Sequence, residues 1–204
     1  MTGRVVAVVL AGGEGRRMGG VDKSLLQLAG RPLLSMILDA LAPLPAAINA
    51  NGDPTRFAAF DLPVLPDGPF AGEGPLAGVL TALDWGASQD AAAVLTVPGD
   101  TPLIPRGLAC ALTPAPACAG SRGQAHHLVG LWPVACRDRL RMHLSGAGSR
   151  RVERFAAAIG MRVVDFPAEA WDPFLNVNTP DDLAGLRALV RATRCAAGGQ
   201  EGVE

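Results

Sequence analysis

Apolar residues fall in short blocks whose periods differ along the chain. Residues 5–10 (Val-Val-Ala-Val-Val-Leu) and 91–97 (Ala-Ala-Ala-Val-Leu-Thr-Val) are near-continuous apolar runs of strand length. Such runs suit central strands covered on both faces. Residues 46–50 and 63–65 read as shorter strands. Between the first two strands, Leu34, Ile37, Leu38 and Leu41 recur at helical spacing, with Pro32 and Pro43 on either side. A second helix is predicted from Gly74 to about Gly86. Strands alternating with helices predict a parallel sheet. From Thr113 the pattern changes. Residues 115–119 and 127–132 read as two strands separated by 120–124, an antiparallel pair appended to a mainly parallel core. Residues 134–144 read as a helix, and 147–152 begin another, with Ser149 as its cap and Val152, Phe155 and Ile159 as its buried stripe. Residues 161–166 are a further strand. The last helix starts at Thr179 or Pro180 with acids in its first turn and is expected to end near Arg194. The fold class is α/β, with one domain over residues 1–194 and a flexible tail over 195–204.

Composition narrows the classes. A chain of 204 residues, 49% hydrophobic, can enclose a core of its own. A net charge of -1 leaves no electrostatic footprint for nucleic acid, so any anion must be held by local charge. Cys110, Cys118, Cys136 and Cys195 have no CxxC spacing and read as structural thiols. The start has no signal-peptide pattern and no segment reaches the apolar length of a membrane span, so the cytoplasm is expected. The adjacent His126 and His127 point to opposite faces of a strand and are assigned no metal.

The chemistry concentrates in residues 5–23. The first strand runs into Ala11-Gly12-Gly13-Glu14-Gly15-Arg16-Arg17-Met18-Gly19-Gly20-Val21-Asp22-Lys23. Glycines let the backbone approach an anion and aim N–H groups at it. Arg16, Arg17 and Lys23 add charge where a triphosphate would lie. Generic nucleotide motifs fail here: Val21, not Lys, follows Gly20, and Met18 breaks the dinucleotide fingerprint. Glycines alone would equally fit an ordinary turn with solvated arginines. Three other polar positions end strands: Asn51, Asp67 and Asp100, the last clamped between Pro98 and Pro102. Strand C-termini are the edge at which α/β sheets bind ligands. Asn51 and Asp67 also fit plain turns, and Asp100 a helix cap. A carboxylate held at the tip of a central strand suits Mg²⁺, which takes one or two carboxylates and fills its shell with phosphates and water. In Asn176-Val177-Asn178, both amides face one side of an extended segment. Arg150 and Arg151 oppose the dipole of their helix, which fits either an anion site or solvated charge.

Leu-Ala-Gly-Gly, then Arg-Met-Gly-Gly-Val-Asp-Lys, followed in order by Asp67, Gly74-Pro75-Leu76-Ala77-Gly78, Asp100 and Asn176-Val177-Asn178-Thr179-Pro180, resembles the molybdenum cofactor guanylyltransferase family over residues 5–192. That resemblance implies a Rossmann-like three-layer nucleotidyltransferase domain that moves GMP from GTP to molybdenum-molybdopterin with Mg²⁺. It implies that Leu10, Ala11, Gly12, Gly13, Lys23, Asn51, Asp67 and Asp100 bind GTP. Pro75, Leu76, Arg150, Arg151, Asn176 and Asn178 would face the pterin, Asp100 would hold the metal, and Arg17, Lys23 and Asp100 would be catalytic. The family usually has Cys where Gly99 stands and Pro where His127 stands. Gly12 in Leu-Ala-Gly-Gly goes with guanine, against the Leu-Ala-Ala-Gly of the sister cytidylyltransferases. The other readings are that cytidylyltransferase, a sugar-1-phosphate nucleotidyltransferase, which the loop fits poorly, and a non-catalytic nucleotide-binding adaptor for molybdoenzyme maturation. A monomer is expected, with transient contact to molybdenum-insertion and molybdoenzyme-maturation proteins.

Overall fold

The computed structural model describes residues 3–12, 22–168 and 171–198. The elements, in chain order, are β1 (Val5–Leu10), β2 (Gln27–Leu28), β3 (Arg31–Pro32), α1 (Leu33–Leu41), β4 (Ala46–Asn49), β5 (Val64–Leu65), α2 (Pro75–Ser88), β6 (Ala93–Pro98), α3 (Leu108–Ala111), β7 (Ala117–Ser121), β8 (Gln124–Pro133), α4 (Arg137–Ser145), α5 (Val152–Ala158), β9 (Arg162–Asp165) and α6 (Pro180–Gly198). Among the described residues, seven strands form one sheet in the order β5-β4-β1-β6-β8-β7-β9, and β2 pairs with β3 separately.

The alternation of β1 explains the layers. Ala7 and Val9 face a core shared with Leu34, Ile37 and Leu41 of α1 and Ile48 of β4. Val6 and Val8 face the opposite core with Leu76, Val79 and Leu83 of α2, Trp132 of β8 and Phe155 of α5. Both faces of the strand are covered, as its unbroken apolar run requires. β1 pairs in parallel with β4 and with β6. A third cluster joins Leu28 of β2, Leu33 of α1, Val177, and Leu183 and Leu186 of α6. That cluster fastens the chain's last helix to the hairpin that follows Lys23. No helix among the described residues is long and apolar enough to cross a membrane.

The expected antiparallel pair is β7 and β8, and it lengthens the main sheet. β8 pairs antiparallel with both β6 and β7, and β9 adds in parallel to β7. The connection is tighter than its sequence suggested. Arg122 and Gly123, both with positive φ, make the whole turn, a geometry that carries strand twist across a two-residue hairpin.

Two sequence expectations change. Ser149 does not cap α5: Arg151 holds that position, and the Ser149 hydroxyl accepts the Arg151 N–H at 3.3 Å one turn earlier. The last helix runs past Arg194 to Gly198, the last described residue, and crosses Gly185 on the way. Most of the tail expected over 195–204 lies outside the described residues. The β2–β3 hairpin is too short to show a period and was not anticipated.

Helix α2 lies so close to β6 that Gly86 has no room for a side chain. A Cβ there would sit 2.3 Å from Val94 Cγ2. Gly86→Ala should destabilise the fold by about 1–3 kcal/mol, the range for overpacking a filled core. Urea denaturation would show this as a lower midpoint at unchanged slope.

Candidate active site

The strand ends gather the polar residues. Leu10 ends β1 opposite Asn49 of β4 on one side and Pro98 of β6 on the other. The backbone stays paired past the strand: Ala11 N–H donates to Asn49 O at 2.8 Å, and Gly99 N–H to Leu10 O at 2.9 Å. Leu10, Ala11 and Gly12 therefore lie between the ends of β4 and β6. Gly13 and Arg17 fall outside the described residues.

On the β4 side, Asp67 is clasped. Asn49 Nδ2 donates to its Oδ1 at 2.8 Å, and Asn51 Nδ2 to its Oδ2 at 2.7 Å. Asn51 Oδ1 in return accepts the Asp67 N–H at 2.9 Å. Gly12 borders this cluster: a Cβ on it would lie 3.8 Å from Asn49 Oδ1 and 3.9 Å from Asn51 Nδ2. Gly78, in the first turns of α2, has less space, with Asn49 Oδ1 only 2.4 Å from where its Cβ would be. The second glycine of Gly-Pro-Leu-Ala-Gly thus lets the helix close on the Asn49 amide.

On the β6 side, Asp100 follows the strand and caps no helix. Its Oδ2 lies 3.4 Å from Lys23 Nζ, and Lys23 Nζ donates to Asn178 Oδ1 at 2.6 Å. The side chains of Lys23 and Asp100 are 22% and 20% exposed, enough for a ligand to reach them. Burial raises the Asp100 pKa above the usual carboxylate range, and the Lys23 ammonium pulls it partly back. Asn176 Oδ1 accepts from Thr101 Oγ1 at 2.7 Å, and between the two amides Val177 N–H donates to Asp100 O at 2.8 Å. Val177 is buried while Asn176 and Asn178 are exposed, so both amides share one side. The turn that follows has Thr179 and Asp182 exchanging side-chain and backbone hydrogen bonds as a capping box. This explains Thr-Pro-Asp-Asp without the asparagines.

Arginine 56 joins the two sides. Its Nε lies 3.1 Å from Asp22 Oδ2 and its Nη2 donates to Asn51 O at 2.7 Å, while Nη1 reaches Asp53 O. Asp22 Oδ1 accepts from both the backbone N–H and the hydroxyl of Ser24, shaping the turn that carries Lys23. The position of Gly99 leaves little space beside this turn: a Cβ there would lie 3.0 Å from Ser24 Cβ and 3.3 Å from Ala11 Cα.

The MobA-like NTP transferase domain family matches residues 7–160. A molybdenum cofactor guanylyltransferase of Acidiphilium cryptum (strain JF-5) is 52% identical over 184 residues, covering 89% of this chain and 93% of that protein. One from Rhodopseudomonas palustris (strain BisB5) is 46% identical over 189 residues, covering 87% and 90%. The chain belongs to the MobA-like nucleotidyltransferase family. The molybdopterin-guanine dinucleotide biosynthesis protein A of Archaeoglobus fulgidus shares its fold, with a TM-score of 0.69 at 22% identity over 92% of this chain and 99% of that one.

The residues expected to face an acceptor are arranged less simply in this nucleotidyltransferase. Pro75 is exposed at the start of α2, whereas Leu76 is 0% exposed in the core. Arg150 is paired with Glu73 at 2.7 Å and donates to the carbonyls of His143 and Gly146. It ties the α4–α5 connection to the loop before Pro75, and the ion pair offsets the charge placed against the α5 dipole. Arg151 is exposed. Burial pushes the Cys118 and Cys136 thiols up to about 11, as inert structural thiols require.

Sequence reading assigned no role to Asn49, Asp22, Thr101 or Arg56. Asn49 could have been found by the spacing used for Asn176 and Asn178, since it sits two before Asn51. Arg56 carries no local signal, because its partners are distant in sequence or are backbone carbonyls.

The raised Asp100 pKa has a sign for stability. The folded protein binds its proton more tightly than the unfolded chain, so stability falls as pH rises from the ordinary aspartate value through the raised one. Asp100→Asn should melt at a higher temperature than the parent near about pH 7, and the gap should close as pH falls through the raised value and below the ordinary aspartate value of about 3.9. Thermal denaturation of both proteins across that range checks it.

Proposed function

We propose that this nucleotidyltransferase transfers GMP from GTP to molybdenum-molybdopterin, giving the guanine dinucleotide form of the cofactor and pyrophosphate. The observation that supports it best is the meeting of Lys23, Asp100 and Asn178, residues far apart in sequence, beside the end of β1. The relatives that span most of the chain carry the guanylyltransferase name.

An oxygen of the pterin phosphate attacks the α-phosphorus of GTP. A bond from phosphorus to that oxygen forms, the bond to the β-phosphate oxygen breaks, and pyrophosphate leaves with the electron pair. Such a transfer needs in-line positioning and neutralised charge more than covalent help. The backbone at Ala11, Gly12 and Gly13 and the Lys23 ammonium hold the triphosphate, and Arg17 neutralises the leaving pyrophosphate. Asn51 and Asp67 hold the nucleoside, and Gly12, the residue that goes with guanine in the resemblance, borders the Asn49–Asn51 amide pair. Asn176 and Asn178 orient the acceptor, with Pro75 and the Arg150–Arg151 segment bordering it. An ionised phosphate nucleophile requires no general base.

The donor set suits Mg²⁺. Among the described residues no three His, Cys, Asp or Glu side chains converge as a metal cage. A single strand-end carboxylate is what an ion uses when phosphates and water complete its shell. Asp100 would hold it, and the ion when bound would screen the phosphates and polarise the phosphorus. Lys23 Nζ lies 3.4 Å from Asp100 Oδ2, so its ammonium would share with the ion the neutralisation of the triphosphate. The reaction is placed in the cytoplasm, in a monomer that meets molybdenum-insertion and molybdoenzyme-maturation proteins transiently.

Pyrophosphate release measured with Mg²⁺ and GTP, CTP or ATP, with and without molybdate-loaded molybdopterin, tests the reading. Release should require both GTP and the pterin. Release with CTP would move the base choice to cytosine, and GTP binding without release would leave an adaptor. Lys23→Ala should lower kcat by about 10²–10³, the scale of one lost charge-stabilising donor.

A further inference from the structure

The β7–β8 hairpin lies outside the site, yet one of its side chains is tied to the segment that carries Asn176 and Asn178. Ser121 ends β7 and is 1% exposed. Its Oγ lies 2.8 Å from Asp172 Oδ1 and 2.8 Å from His126 Nε2. A hydroxyl has one hydrogen, and a carboxylate oxygen can only accept. The Ser121 hydrogen therefore goes to Asp172, and His126 must donate to Ser121 from a protonated Nε2. Burial lowers the His126 pKa, which favours a neutral ring, and the contact with Ser121 selects the tautomer.

Asp172 Oδ1 also accepts the Phe174 N–H at 2.9 Å, closing a turn over the buried Pro173. The Phe174 ring is buried between His126 and Phe166, with centroid separations of 5.1 and 5.2 Å. Phe174 and Val177 thus fix both ends of a short extended strap, the first through the hairpin and the second through its N–H to Asp100 O. Between and just beyond them stand Asn176 and Asn178.

We infer that Ser121, His126 and Asp172 are positioning residues that brace the 173–178 strap from the hairpin, and so set the two asparagines for the acceptor while leaving the Asn49–Asn51–Asp67 cluster alone. That cluster rests on β1, β4 and β5, which the brace does not touch, whereas the strap itself meets Lys23 through Asn178 and Asp100 through Val177. The acceptor role of the strap rests on the proposed transfer; the brace itself does not.

The test uses the full chain with Asp172→Ala, which removes the shared acceptor, and Asp172→Asn, which keeps an acceptor oxygen in its place. In Asp172→Ala the KM for molybdopterin should rise about tenfold, on the scale of a lost charge-assisted hydrogen bond. The affinity for a fluorescent guanosine analogue, which has no phosphate for Lys23 to hold, should change less than about twofold, and Asp172→Asn should recover most of the loss in pterin KM. Hydrogen exchange of the same variants needs no turnover: amides of 174–178 should exchange faster in Asp172→Ala, with β1 and β4 unchanged. If those amides exchange as in the parent, or if guanosine affinity falls together with the pterin KM, the brace is overturned. If exchange behaves as expected while the parent itself shows no pterin-dependent turnover, the brace stands and the proposed transfer fails.

Discussion

The arrangement depends on β1 being paired on both edges and covered on both faces. Its parallel registers with β4 and β6 bring Leu10 level with Asn49 and Pro98. The strand is buried throughout its middle, so it cannot slip by one residue without turning Val6 and Val8 into the wrong core. Everything chemical is hung from its C-terminal end. Gly12 borders the Asn49–Asn51–Asp67 cluster on one side, and Asp100 follows the end of β6 on the other.

The second requirement is that remote segments be pinned to that edge. Lys23 is carried on a turn closed by Asp22 and Ser24, and Arg56 holds that turn to the carbonyl of Asn51. The strap with Asn176 and Asn178 is held at Val177, which is buried in the cluster that docks α6 on the β2–β3 hairpin. The Lys23–Asn178 contact is therefore a product of helix docking. Asp100 lies in the middle, largely desolvated, with Lys23 as its counter-charge. Its carboxylate is disfavoured by the fold, a local conflict of the kind that functional sites carry.

Gly78 and Gly99 show the same close fit from the backbone side. Each stands where a side chain would press on a polar or functional turn: Gly78 on the Asn49 amide, Gly99 on Ser24 and Ala11. Space in this site is set as much by missing side chains as by present ones.

The amino-acid sequence by itself determined the α/β class, the parallel core, the antiparallel pair and the strand-end positions of Asn51, Asp67 and Asp100. Periods and strand-end polar residues are local properties, legible without a fold. The family motifs named Lys23 and Asn178 separately. Only the tertiary structure decided that Lys23 bridges Asp100 and Asn178, that Arg150 is occupied by Glu73, that Leu76 turns into the core, and that Asn49, Asp22 and Arg56 support the site. Those facts depend on pairs 16 to 155 positions apart, such as Asn49 with Leu65 and Lys23 with Asn178. The distance between such partners is set by sheet register and helix docking, and neither leaves a mark in the local pattern.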